Sequence, residues 1–233
     1  MGASAGPDVI DTGLVLALDA GDTNSYPGSG TTWTDLSGQG NNGTITGAVY
    51  SNGYFDFDGV NDDGVDTGTS FLKVNDNATL EVFFNHDSNG GSYFMLYEGE
   101  GDGFGGNVEF HLYVSNGVLA SWFTTSSGDF ALTGSVMTPG TWNYGAVTYE
   151  NLSSAGNASS RLYQNGVLVD SGSSATVDLA LMPTSNFLIG RPYSTSLGRR
   201  YNGQIAVVKV YNKALTAAEI QQNFNALRGR FGI

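Results

Sequence analysis

A chain of 233 residues, 40% hydrophobic and 12% aromatic, is long enough and apolar enough to bury a core as one large domain. Its 22 acids against 9 bases give a net charge of -13, which argues against nucleic acid and anionic membrane as partners. The absence of cysteine excludes disulfides and thiolate metal sites, and no apolar run reaches the roughly 18 residues a membrane-spanning helix needs.

The charge is unevenly spread. Residues 1–160 carry 19 acids and one base, whereas residues 161–233 carry 3 acids and 8 bases. The opening MGASAGPDVIDTG has neither the charged n-region nor the apolar core of a signal peptide, and is expected to form an arm over residues 1–12. A single domain over 13–233 follows, since no Pro- or Ser-rich linker divides it.

Leu14 to Leu18 reads as an apolar strand. Asp22 to Gly43, rich in Gly, Ser, Thr and Asn, is too long for a hairpin and is expected to wrap across an edge, pinned by Trp33. Tyr54 to Phe57 is a strand, followed by the acidic turn Asp58 to Gly64. Thr79 to Phe84 and Tyr93 to Tyr97 are strands, the latter leading into a loop from Glu98 to Gly106. His86 is placed in a solvated polar turn, Asn85 to Gly91. Two Asn-Gly pairs predict hairpins: Asn116-Gly117 between Val108–Val114 and Val118–Thr124, and Asn165-Gly166 between Arg161–Gln164 and Val167–Asp170. Trp142 to Tyr149 and Phe187 to Ile189 are further strands.

After the turn Asn202-Gly203, Gln204 to Tyr211 is a strand in which Ile205, Val207 and Lys209 alternate with Ala206, Val208 and Val210. One helix closes the chain. Thr216 and Glu219 have capping-box spacing, and Ile220, Phe224 and Leu227 share a helical face. About a dozen short strands joined by Gly and Asn turns predict an all-β, two-sheet antiparallel sandwich with one short C-terminal helix.

The segments at 13–47, 57–65, 79–85, 142–150, 161–172, 187–193 and 201–224 resemble, in order and spacing, the laminin-G-like branch of the concanavalin A-like lectin/glucanase superfamily. That resemblance implies a jelly roll. The opening GLVLALDAGDTNSYPGSGTTWTDLSGQGNNGT and the ending LTAAEIQQNFNALRGRFGI are similar to structural proteins of tailed bacteriophages. This likeness implies a non-enzymatic virion surface protein, either decorating the capsid or serving as a fibre or tail adhesin. Its expected partners are other virion proteins, copies of itself and cell-surface glycans. Two alternatives are a stand-alone lectin module and a laminarinase-type glycoside hydrolase. Members of the family often end their last strand G-x-I-D-E-V-x-I-Y; here Ala206 and Val207 replace the two acids.

The residues offer four candidate chemistries. For a glycosidase, the period-two acids Glu98, Glu100 and Asp102 have suitable spacing, but the glycines between them favour a loop over a catalytic strand. For calcium, Asp56, Asp58, Asn61, Asp62 and Asp63 are crowded together, with Asp58 and Asn61 as first ligands; an Asx-rich turn is the competing reading. For carbohydrate, strand alternation puts Glu109, His111 and Tyr113 on one face, with Trp122 beside them on the paired strand. The same Tyr113 and Trp122 are equally at home in a core. For assembly, the basic end supplies Arg199, Arg200, Arg228 and Arg230 to meet the acidic face of a neighbour.

Overall fold

The computed structural model describes residues 7–61, 63–71, 76–98, 109–125, 128–152, 158–174, 185–193 and 199–233, with side chains for all but 92, 94, 109, 124, 125, 128–130 and 174. Their strands form two antiparallel sheets, numbered here in chain order. The first sheet runs β14 (Val167–Ser174), β13 (Ala158–Gln164), β12 (Trp142–Glu150), β7 (Ala78–His86), β16 (Asn202–Tyr211), β5 (Tyr54–Asp58) and β4 (Val49–Ser51), with β1 (Leu14–Asp19) also against β16. The second runs β11 (Gly128–Val136), β10 (Val118–Thr125), β9 (Glu109–Ser115), β8 (Ser92–Glu98), β15 (Leu188–Ile189), β6 (Gly64–Asp66), β3 (Gly43–Thr46) and β2 (Thr32–Trp33). The expected all-β sandwich is the fold.

Period-two alternation explains the layering. Leu80, Val82 and Phe84 of β7 and Phe110, Leu112 and Val114 of β9 point into the space between the sheets and meet in one core. Both predicted hairpins form, with Asn116 and Asn165 at φ 49 and 50° and the following glycines also at positive φ. That is the paired left-handed geometry a two-residue turn on twisted strands requires. A third such turn, Asn52-Gly53, joins β4 to β5.

β16 organises the first sheet. It pairs with β7 along one edge, while β5 and β1 share the other. The expected turn at Asn202-Gly203 is instead part of this strand, opposite Asp58 and Phe57. Strict alternation also fails, because a bulge lies between Ile205 and Val207. Ile205, Val208 and Val210 enter the inter-sheet core, whereas Ala206, Val207 and Tyr211 join a second cluster on the outer face. The extra residue of a bulge reverses facing on one side of it.

That outer face is covered by α1 (Ala217–Phe231), whose Ile220 and Phe224 pack on Phe83, Tyr144 and Tyr211. Burying a side chain such as Phe224 contributes about 1.5–3 kcal/mol. Thr216 and Glu219 form the expected capping box, and Gly232 at φ 70° ends the helix. Beneath this cover Ala206 and Val207, at 0% and 2% exposure, lie in an apolar contact, where an unpaired carboxylate would be costly.

The two chain ends meet on this side. Ile10 N–H donates to Asn223 Oδ1 (2.8 Å), and Tyr211 Oη donates to the Ile10 carbonyl (3.1 Å). The wrapping segment after β1 is anchored by buried Asp35, whose carboxylate accepts from the amides of Ala17, Ser37 and Asn41. Trp33 is fully buried against Phe55 at 4.7 Å between rings, so it pins the segment as expected.

Candidate functional site: the outer face of the second sheet

Register places one residue from each strand of the second sheet in a continuous row. Thr32 is opposite Thr44, Thr44 opposite Asp66, and Asp66 opposite Leu188. Leu188 is opposite Tyr97, Tyr97 opposite His111, His111 opposite Trp122, and Trp122 opposite Ala131. Ile45, Val65, Leu96, Phe110, Leu112, Phe123 and Ile189, the alternate residues of these strands, belong to the inter-sheet core. The row therefore faces away from the core, polar at one end and aromatic at the other.

The aromatic half contains the predicted glycan platform. His111, Tyr113 and Trp122 do lie on one face, together with Tyr97, whose ring stacks on His111 at 5.0 Å and 15°. Their exposure differs from the expectation. His111 and Tyr97 are 0% exposed and Tyr113 is 7% exposed, leaving Trp122 alone half-buried. A sugar stacks on an accessible ring, so His111 and Tyr113 support this face from within it and do not present an open platform. Burial raises the Tyr113 hydroxyl above its usual pKa, opposed by the positive charge of Arg199. The Glu109 side chain lies outside the described residues.

The polar half is open. A groove of about 330 Å³ is lined by Asn42, Thr44, Thr46, Asp66, Thr67, Gly68, Asn186 and Arg191. Thr44 and Thr46 share a face because they are two apart on β3, with buried Ile45 between them. The Asp66 carboxylate is oriented by the Gly68 amide (2.8 Å) and by Asn186 Nδ2 (3.1 Å). Arg191 reaches the groove over Gly64; a Cβ there would stand 2.5 Å from Arg191 Cδ, so glycine leaves room for the arginine stem. Hydroxyls, amides, a carboxylate and a guanidinium converge here, a donor and acceptor set suited to a polyhydroxylated ligand. In the sequence Arg191 stands out only as one base of the basic end read for assembly, and none of these residues reads as a sugar contact. β3 and β6 are four and three residues long, too short for a periodic signal, and Arg191 and Asn186 flank a two-residue strand.

The other predicted sites lie elsewhere. Asp58 Oδ1 accepts from the amides of Val60 (2.8 Å) and Asn61 (3.0 Å), and Oδ2 accepts from Asn61 Nδ2 (2.8 Å). The amides of Asn61 and Val60 hold its carboxyl below the usual range. This is an Asx turn, and among the described residues no group of three or more His, Cys, Asp and Glu side chains is arranged to hold a metal. Asp62 lies outside the described residues. Glu98 is buried, accepting from Ser70 Oγ (2.5 Å) and the Phe71 amide (2.8 Å). It anchors the chain after β6, while Glu100 and Asp102 lie outside the described residues.

His86 departs from the solvated turn expected of it. It is 0% exposed at the end of β7, with Nε2 3.0 Å from Asn89 Oδ1. β7 runs two residues further than its apolar pattern suggests, because β16 and β12 pair with its last turn-like residues. The four assembly arginines do not form one patch. Arg199 lies within electrostatic reach of Tyr113 on the second sheet, whereas Arg228 and Arg230 end α1 on the first. Arg230 Nη1 bonds both Asp19 oxygens (2.6 and 2.8 Å) and Nη2 the Gly53 carbonyl, so its fork is occupied within the chain. Arg228 lies 5.6 Å over the Phe224 ring on an exposed face.

Comparison with known proteins agrees with this architecture. A family model described as the concanavalin A-like lectin/glucanases superfamily matches residues 57–221. No curated protein matches the chain. Among solved structures, Trypanosoma rangeli sialidase in complex with 2,3-difluoro-KDN is similar at a TM-score of 0.70 and 19% identity, covering 93% of this chain and 33% of that one. The binding domain of Paraclostridial Mosquitocidal Protein 1 is similar at 0.66 and 15% identity, covering 92% and 52%. The CBM40 of Ruminococcus gnavus IT-sialidase, bound to α2,3 sialyllactose, is similar at 0.54 and 19% identity, covering 64% and 83%. The chain thus spans about a third of the length of the T. rangeli sialidase, and these likenesses are ones of fold.

Proposed function

This chain belongs to the concanavalin A-like lectin/glucanases superfamily, and from that premise we propose that it is a non-enzymatic carbohydrate-binding protein displayed on a virion surface. The observation that carries the binding role is the open groove of Thr44, Thr46, Asp66, Asn186 and Arg191, set in the same sheet face as the half-buried Trp122. Hydroxyl, amide and charged groups of fixed position suit the ring hydroxyls of a sugar, which offer many donors and acceptors and little apolar area. The R. gnavus CBM40, on a similar fold, was solved with a sugar bound, which supports the ligand class.

The same geometry favours binding over hydrolysis. Glu98, the one described acid of the period-two trio, is committed to Ser70 and Phe71. Retaining and inverting glycosidases need two carboxyl groups flanking the bond, about 5–10 Å apart. Incubation with laminarin is expected to release no reducing ends; steady release would return Glu98 to consideration.

A glycan array probed with the purified chain tests the binding role. Binding is expected, and Thr44→Ala with Asn186→Ala should weaken it at least tenfold at an unchanged melting temperature. An array on which nothing binds would sink the proposal. The virion role rests on the phage-like phrasing of residues 13–44 and 215–233. Antibody labelling of phage particles should decorate the head or the tail, and the position reached separates decoration from adhesion. Unlabelled particles would remove the virion role and leave the binding role standing.

A further inference from the structure

Resting on the carbohydrate reading of this groove, we infer that Arg191 makes it selective for acidic glycans, with the guanidinium receiving a sugar carboxylate. Arg191 Nε is buried and has no hydrogen-bond partner among the described residues, although the residue itself is only half-buried. A buried donor left unsatisfied is costly, so such a group points to a missing acceptor. The chain has 22 acids for 9 bases, and partners for an arginine are plentiful. Arg161, Lys213 and Arg230 each have a carboxylate within 4 Å: Glu150, Glu219 and Asp19. Among the described residues Arg191 has none, although it shares its groove with Asp66, whose oxygens are turned to Gly68 and Asn186.

Position supports the same ligand. The stem crosses Gly64, where any Cβ would displace it, so the backbone is shaped to bring the guanidinium into the groove. A strongly acidic protein repels an anionic ligand at long range, and a site for one needs local positive charge. This face has it: Arg191 lies in the groove, and Arg199 lies near Tyr113 further along the sheet. A planar guanidinium matches a planar carboxylate bidentately, while Thr44, Thr46 and Asn186 remain for the ring hydroxyls.

The test is an array carrying sialylated, uronate-containing, sulfated and neutral glycans, followed by calorimetry with the best binder and its carboxyl-methyl ester. Carboxylated glycans are expected to bind at least tenfold more tightly than their esters. Arg191→Gln, which keeps the stem, should erase that preference, and Gly64→Ala, which displaces the stem without removing its charge, should reduce it. Melting temperatures identify a variant that has failed to fold. A preference for neutral or sulfated glycans overturns the carboxylate assignment but leaves the lectin reading intact, as does ester binding equal to that of the acid. Unchanged selectivity in both folded variants overturns the role of Arg191. If no glycan binds the parent chain, both proposals fail together.

Discussion

Glu81 and Lys209 stand opposite each other in the β7–β16 ladder, both buried on the face that α1 covers. Burial pushes the Glu81 carboxyl up, against the Lys209 charge and hydrogen bonds from Asn223 and Tyr144. Tyr144 Oη (2.7 Å) and Asn223 Nδ2 (2.9 Å) both donate to Glu81 Oε1, and Asn223 also holds Ile10. One carboxylate thereby ties the first sheet, the helix and the N-terminal segment together.

Removing that carboxylate should be severe. Glu81→Ala removes the opposite charge facing Lys209 and the shared acceptor of the Tyr144 hydroxyl and one Asn223 N–H, and is expected to cost about 3–5 kcal/mol. Glu81→Gln combined with Lys209→Met keeps the acceptor and removes both charges, so it should cost clearly less. Urea denaturation of the three proteins measures the difference, and a Glu81→Ala protein within about 1 kcal/mol of the parent would contradict the network's importance.

The helix cap carries a pH dependence of known sign. Burial works to raise the Glu219 carboxyl, but Lys213 and the Thr216 amide outweigh it and hold the folded pKa below the ordinary 4.5. Its contribution is therefore full above about pH 4.5 and is lost as pH falls through the folded value. Glu219→Gln should lower the melting temperature at pH 7 and converge on the parent as pH falls below the folded value. Thr216→Ala, which removes the hydroxyl that accepts from the Glu219 amide, should cost about 1 kcal/mol at either pH. A Glu219→Gln deficit that persists undiminished in acid would refute the assignment.

The Asp58 turn bears on calcium. Both carboxylate oxygens already accept bonds from Val60 and Asn61. These bonds hold the turn in shape without a cation, so chelator treatment is expected to leave the melting temperature unchanged and titrated calcium to give no heat. Stabilisation by added calcium would show that Asp58 and Asn61 turn to a cation.

Assembly through the C-terminus needs a finer experiment than truncation. Phe231 stacks on Phe83 and lies against Trp142, both at 4.7 Å, so deleting residues 228–233 removes part of a packed cluster. That deletion should lower the melting temperature whether or not the chain assembles. Arg228→Gln changes an exposed charge and little else, and a shift in oligomeric mass by light scattering would assign Arg228 to an interface. Unchanged mass would remove α1 from the list of contact surfaces.

Much of the fold is legible in the sequence. Hairpin turns announce themselves because two successive residues at positive φ demand Asn-Gly, and Thr216 with Glu219 announces a helix start because orphan amides need acceptors. These are short-range requirements, satisfied within a few residues. The same rule would have found the Asn52-Gly53 hairpin. Alternation likewise put Phe110, Leu112 and Val114 on one face and His111 and Tyr113 on the other.

What tertiary structure alone decided is where each face leads. Alternation tells that His111 and Tyr113 share a side, not that the side is buried, and so it mistook supporting residues for a platform. The bulge at Ile205/Val207 and the pairing of Asn202-Gly203 depend on three other strands meeting β16. The groove gathers Asn42, Thr44, Asp66, Asn186 and Arg191 from segments up to about 150 residues apart, on strands too short to show a period. Local chemistry writes turns, caps and alternation into the chain; a binding groove arises from long-range register, which no stretch of sequence carries alone.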